Sequence, residues 1–254
     1  MIVYGLIGNP LTHSLSASYF SSKFRQENIS GRIYKLFPLS SIDEFPGLIR
    51  REKELAGLNV TIPYKKKIIG FLDEMDPSAE EIGAVNTILI SRDGERIKLK
   101  GYNTDADGFR LSADFTGHAH ALILGTGGAA RAVQYALKEL GIQCLSVSRN
   151  PIPHESIGFS DLNFDHIHDH TLIINATPLG IYPEISSFPP IPYQFLTKRN
   201  FLYDLVYNPE MTIFLKKGLE RGTCIQNGKK MLQLQAEKSY EIWEFKNNFT
   251  PSGF

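Results

Sequence analysis

Residues 121–138 read ALILGTGGAARAVQYALK, and this stretch decides the fold. Ala121–Leu124 is a short apolar run of the kind that makes a buried strand. It passes directly into Gly125, Thr126, Gly127, Gly128, Ala129 and Ala130, and then into a helix-like segment. Strand, glycine-rich turn and helix in that order are the context in which G-x-G-x-x-G/A marks a dinucleotide site. Gly125 allows the tight turn, Gly127 lets backbone approach a pyrophosphate, and a small residue at Ala130 lets helix and strand pack closely. The N-terminus of the helix offers free N–H groups and partial positive charge to phosphate. Gly125, Gly127, Gly128, Ala129 and Ala130 are therefore expected cofactor contacts.

The next strand candidate, Cys144–Val147, ends in Ser148, Arg149 and Asn150. A site for NAD places Asp or Glu about 20 residues after the glycines to hold the ribose hydroxyls. No acid stands here. Arg149 offers instead a planar fork for a 2′-phosphate and a face that stacks on adenine. NADP is the expected cofactor, with Ser148, Arg149 and Asn150 at its adenosine end.

Further strands are expected at Leu172–Asn175, Phe201–Asp204 and Cys224–Gln226, while 151–169 shows weak patterning and reads mostly as loop. Upstream, Ile2–Ile7, Ile33–Phe37 and Leu58–Thr61 read as strands, Leu15–Gln26 as a helix and Ile42–Leu55 as an amphipathic stretch. This alternation favours a mostly parallel α/β sheet. Asp93-Gly94 between two strand-like runs is a hairpin signal. A last helix over 230–245 puts Leu232, Ala236, Ser239 or Tyr240, and Trp243 on one face, which must pack on a core. The fold class is α/β with two domains: an N-terminal, mostly parallel α/β domain and a Rossmann-type NADP-binding domain.

The 254 residues carry 27 Lys plus Arg against 27 Asp plus Glu, so the formal net charge is zero. This gives no electrostatic reason to expect nucleic acid or an anionic membrane as partner. No apolar run approaches the 18 or so residues of a membrane span, and the opening residues MIVYGLIGNP lack a secretory pattern. Cys144 and Cys224, in apolar contexts, read as core thiols of a reducing compartment. A cytoplasmic protein without a metal site is expected.

The first half carries polar clusters that a bare fold does not need: Asn9–Ser16, Asn59–Lys65, Asn86-Thr87 and Asn103-Thr104-Asp105. Loops after the carboxyl ends of parallel strands form the ligand crevice of such sheets. Lys65 reads equally as a solvated member of the run Lys65-Lys66-Lys67, and Asp105 as a helix N-cap. No nucleophile elbow accompanies the serines beside His13, which reads as a structural histidine.

These words resemble the shikimate dehydrogenase family. They are G-N-P-L-x-H-S-x-S at Gly8–Ser16, N-V-T-x-P-x-K at Asn59–Lys65, A-V-N-T at Ala84–Thr87 and G-Y-N-T-D-x-x-G at Gly101–Gly108. They continue with G-x-G-G-A-A-R at Gly125–Arg131, N-A-T-P-x-G at Asn175–Gly180, D-x-x-Y-x-P at Asp204–Pro209 and M-L-x-x-Q-A at Met231–Ala236. The resemblance implies reversible reduction of 3-dehydroshikimate to shikimate with NADPH, in the chorismate route to aromatic amino acids. It implies Lys65 and Asp105 as the catalytic pair, and Ser14 and Ser16 as hydroxyls for the substrate carboxylate. Asn59, Thr61, Asn86, Tyr207 and Gln235 become further substrate contacts, with Thr177 and Gly228 on the nicotinamide side. It also implies a discontinuous substrate domain, 1–104 plus 231–254, around an NADP domain, 105–230, in a monomer or homodimer.

Two departures bear on the cofactor. The family's second arginine after the one matching Arg149 is replaced by Pro151-Ile152-Pro153-His154, and Lys230 stands where glycine is common. A quinate/shikimate dehydrogenase with relaxed cofactor use is the nearest alternative. A non-catalytic NADP-binding regulator is the alternative from another class.

Overall fold

The computed structural model describes residues 1–12 and 14–247. The reading of His13 falls outside the described residues. By its internal contacts the chain divides into two compact units. One is Met1–Thr104 with the chain from Ala236 on; the other is Asp105–Gln235.

The first unit contains β1 (Ile2–Gly8), α1 (Ser16–Gln26), β2 (Arg32–Pro38), α2 (Phe45–Arg51), β3 (Leu55–Val60), β4 (Glu74–Met75), α3 (Pro77–Ile82), β5 (Thr87–Asp93) and β6 (Arg96–Tyr102). Its sheet runs β2-β1-β3-β5-β6-β4. β2, β1 and β3 pair in parallel, β5 is antiparallel to both of its neighbours, and β4 runs parallel to β6. The Asp93-Gly94 hairpin forms as its residues demand: Asp93 pairs with Arg96, and Gly94 takes φ 59°. β1 is almost wholly apolar because both sheet faces are covered. Ile7, Phe45, Leu48, Leu58, Ile68 and Ile88 fill one side, and Tyr4, Phe20, Phe24, Tyr34 and Trp243 the other.

The second unit contains α4 (Thr104–Ser112, whose first residue belongs to the first unit), β7 (His120–Leu124), α5 (Gly128–Glu139), β8 (Gln143–Ser148), β9 (Ser156–Gly158), α6 (Phe164–Asp169), β10 (Leu172–Asn175), β11 (Phe201–Asp204), α7 (Ile213–Leu219) and β12 (Cys224–Asn227). The last helix, α8 (Lys229–Asn247), starts here and ends in the first unit. All six strands are parallel, ordered β12-β11-β10-β7-β8-β9. Counted from β7, this is the 3-2-1-4-5-6 order of a dinucleotide-binding fold, with its switch point between β7 and β10.

Two sequence expectations need correction. The stretch 151–169 is not mostly loop: it holds β9, a 3-10 turn and α6. β9 has three residues at the sheet edge, too few for a period to register. Cys224 is exposed rather than a core thiol. It lies on β12, an edge strand whose one strand neighbour among the described residues is β11. Cys144 is half-buried, and burial pushes its thiol up to about 12.

Candidate active site

In the first unit the polar clusters meet at one end of the sheet. The carboxyl ends of β1, β3 and β6 and the amino end of the antiparallel β5 come together there. Thr61 N–H donates to Ile7 O at 3.0 Å, and Asn86 N–H donates to Tyr102 O at 3.1 Å. The loop after β3 lies hard against the end of β1. A Cβ on Gly8 would stand 2.4 Å from Thr61 Cγ2, so glycine is required there. Val85 N–H donates to Lys65 O at 2.8 Å, tying the lysine backbone to the segment before β5. Lys65 is half-buried, whereas Lys66 and Lys67 are exposed.

Asn59 and Asn86 are almost fully buried, at 6% and 2% exposure. Asn59 Oδ1 accepts from the Tyr34 hydroxyl at 2.8 Å, and its Nδ2 faces Ser239 Oγ at 2.9 Å and Thr87 Oγ1 at 3.2 Å. Asn86 Oδ1 accepts from Thr104 N–H at 2.7 Å, and its Nδ2 donates to Thr104 Oγ1 at 3.0 Å. Thr87, Thr104 and Ser239 close the ring of hydroxyls. Burial raises the Tyr34 phenol, opposed by a hydrogen bond from Ser16, so Ser16 reaches the same group as Asn59. Ser16 N–H in turn faces Ser14 Oγ at 3.3 Å. Ser14, Ser16, Asn59 and Asn86 thus share one connected polar lattice. Sequence reasoning placed Thr104 in a polar cluster without giving it a role, did not find Tyr34, and knew Ser239 only as part of a helix face. Their signal, a polar residue on an otherwise apolar element, was present but unspecific.

In the second unit Asp105 is buried, 6% exposed, in the first turn of α4. Further along α4, a Cβ on Gly108 would come within 2.9 Å of Met231 O and of Gln235 Cβ, so Gly108 lets α4 meet the start of α8. Gln235 Nε2 donates to Leu232 O at 2.9 Å. Tyr207 is half-buried, and burial raises its phenol.

The fingerprint turn has the conformation its glycines were chosen for. Gly125 takes φ 114°, which strains any other residue, and its N–H donates to Val147 O at 2.8 Å. Gly127 caps α5 with extended backbone, and a Cβ there would meet nothing within 4 Å. Arg131 N–H makes the first helical bond, to Gly127 O, so the amides of Gly128, Ala129 and Ala130 precede the ladder and stay available. Open space before a row of free amides suits a pyrophosphate. Across the switch point, the loop after β10 borders this turn: a Cβ on Gly125 would stand 3.1 Å from Ala176 O and 3.3 Å from Thr177 Cγ2. Among the described residues no cluster of three or more metal-ligating side chains occurs, and no helix is long and apolar enough to cross a membrane.

Residues 6–88 match the family model of the shikimate dehydrogenase substrate-binding domain. A shikimate dehydrogenase (NADP(+)) of Pelagibacter ubique is 37% identical over 253 residues, covering 94% of this chain and 91% of its own. The chain belongs to the shikimate dehydrogenase family. Among solved structures, a shikimate dehydrogenase in complex with NADP+ superposes with TM-score 0.84 at 32% identity, covering 96% of this chain and 90% of its own. The Thermus thermophilus shikimate 5-dehydrogenase in complex with NADP(H) and shikimate gives TM-score 0.82 at 30% identity, covering 96% and 93%.

Where this chain departs from its family, the structure shows what stands in place. Arg149 and Asn150 are exposed after β8, while Ser148 is buried and exchanges hydrogen bonds with the Asn150 backbone. The Arg149 guanidinium has no ion-pair partner among the described residues and is free to receive an anion. Lys230 is exposed on the first turn of α8. Gly228 is required by packing, since a Cβ would lie 2.1 Å from Leu205 O.

Proposed function

We propose that this chain is an NADP-dependent shikimate dehydrogenase that interconverts 3-dehydroshikimate and shikimate. One observation carries the reading. The Ser14, Ser16, Asn59 and Asn86 lattice closes the end of one sheet in the first unit, and the second unit presents an open fingerprint turn at a dinucleotide switch point.

In this reading Ser14 and Ser16 hold the substrate carboxylate, and Tyr207 assists. Thr61, Asn86 and Gln235 orient the ring hydroxyls, and Asn59 acts by keeping the lattice rigid. Gly125, Gly127, Gly128, Ala129 and Ala130 receive the pyrophosphate, with Ser148, Arg149 and Asn150 at the 2′-phosphate. Thr177 and Gly228 border the nicotinamide. The bound NADPH supplies the hydride to the carbonyl carbon. The protein supplies the proton: Lys65 Nζ faces the carbonyl oxygen, stabilises its developing negative charge and protonates it, with Asp105 as the partner that orients the amine. In reverse, Lys65 takes the hydroxyl proton while the carbon gives its hydride to NADP+. The same reading puts the enzyme in the cytoplasm, where the substrate and NADPH are both soluble.

The test is the absorbance of NADPH formed from shikimate by the full chain and by Lys65→Ala. Turnover of the variant should fall by about 10²–10⁴-fold, with shikimate affinity little changed. Near-normal turnover sinks the role of Lys65, and wild-type turnover of quinate but not shikimate sinks the substrate.

A further inference from the structure

Asp204 is fully buried at the end of β11 and has no part in the chemistry above. Its Oδ1 accepts from Asn175 Nδ2 at 2.9 Å and from Val206 N–H at 3.0 Å, and its Oδ2 accepts from Thr212 Oγ1 at 2.6 Å. An ionised carboxylate only accepts. Asn175, equally buried at the end of β10, must therefore turn its amide NH2 towards Asp204, and that choice leaves its Oδ1 facing the following loop. Oδ1 takes the Thr177 N–H at 3.1 Å and the Thr177 hydroxyl at 2.6 Å. The remaining Asn175 Nδ2 hydrogen reaches Leu179 O at 3.2 Å, and Leu179 N–H donates to Thr177 Oγ1 at 3.2 Å. The side-chain hydrogen bonds that shape residues 177–179 thus take their direction from one amide, and one buried carboxylate sets that amide. This loop is also the segment that lies against Gly125.

We propose that Asp204 is a positioning residue for the nicotinamide half of the cofactor, acting through the fixed amide of Asn175 on the Thr177–Leu179 loop. This rests on the reading of the Gly125 turn as the NADP site. The adenosine half depends on the amides of Gly128–Ala130 and on Arg149, with which the relay makes no hydrogen bond among the described residues, so the two halves of the cofactor separate the role from a general structural one.

The experiment measures binding by the full chain of three probes: NADPH, 2′-phosphoadenosine 5′-diphosphoribose (which lacks nicotinamide), and shikimate. Asp204→Ala removes the acceptor and frees Asn175 to turn. It should weaken NADPH by about tenfold, the effect of one lost directed hydrogen bond, and lower kcat. The nicotinamide-free probe and shikimate should bind within about twofold of wild type. Asp204→Asn keeps an acceptor facing Asn175, while its own NH2 donates to Thr212 Oγ1, so it should restore most of the NADPH affinity. If Asp204→Ala does not fold, Asn175→Ala cuts the same relay one step nearer the loop and should give the same split. Equal losses for NADPH and the nicotinamide-free probe, no change in either, or failure of both alanine variants to fold overturns the proposal. Failure of wild type to bind either nucleotide overturns instead the reading on which it rests.

Discussion

Trp243 stacks on Tyr4, with ring centroids 4.7 Å apart and planes 12° from parallel. The contact joins the last helix to the first strand. Its indole N–H donates to Ile88 O at 3.0 Å, and the ring lies over Gly57, where a Cβ would come within 2.4 Å. Trp243 is also in tilted contact with Phe20 and Tyr34. The face of the first sheet therefore remains incomplete until the end of the chain arrives.

Trp243→Ala should cost about 3–5 kcal/mol, the usual penalty for emptying a large aromatic site in a core. Gly57→Ala should also destabilise, since the added methyl has only the indole to displace. Urea unfolding of the full chain checks both, and a midpoint unchanged in either variant contradicts the packing described.

The lattice around Asn59 predicts coupled losses. Asn59→Ala leaves the Tyr34 hydroxyl and Ser239 short of a partner inside the protein, at about 1–3 kcal/mol. Ser239→Ala should cost less, because Thr87 Oγ1 remains for Asn59. As the two residues are in contact, the double variant should lose less than the sum. Strict additivity in a denaturation cycle would show that the two do not share a network.

Arg149→Ala should discriminate between the nicotinamide cofactors. A charge-assisted bond to the 2′-phosphate is worth about 1.5–3 kcal/mol, so KM for NADPH should rise about 10- to 100-fold while KM for NADH hardly moves. Equal effects on both would remove Arg149 from the 2′-phosphate. The preference in wild type is expected to rest mainly on this single exposed guanidinium, since proline, isoleucine and histidine follow it.

Asp204 also predicts an unusual dependence of stability on pH. Burial pushes its carboxyl up to about 6, against the pull of the donors from Thr212, Val206 and Asn175. A carboxyl raised in the native state holds its proton more tightly when folded. Its contribution to stability is complete below the ordinary value of 3.8 and is lost as pH rises through about 6. The phenols that feel its charge, Tyr193 and Tyr203, are themselves raised by burial and stay protonated over that range. The stability of wild type relative to Asp204→Asn should therefore decline between about pH 4 and pH 6, by on the order of 1–3 kcal/mol. A difference that stays flat with pH argues against the shift.

Much of this protein could be read from its residues in order. The turn at Gly125–Ala130, the hairpin at Asp93-Gly94 and the buried face of α8 are local features. A φ that only glycine tolerates or a period of apolar residues is written into a few consecutive positions. The absence of an acid after β8, with Arg149 in its place, pointed to NADP in the same local way, and the NADP-dependent relatives agree. β9 and α6 escaped because elements of three and six residues carry too few positions for a pattern.

The sequence by itself determined most of the element types, the dinucleotide turn and the family. Only the tertiary structure decided what the polar residues do with one another. Asn59 reaches Ser239, and Asp204 reaches Asn175, because β3 lies beside β5 under the returning helix and β10 beside β11. Those neighbours follow from how sheets order their strands and bury their faces, a property of the whole chain. A buried amide shows no sign in its own sequence of which donor it will meet, because the cost of leaving it unpaired is settled only when distant segments pack around it.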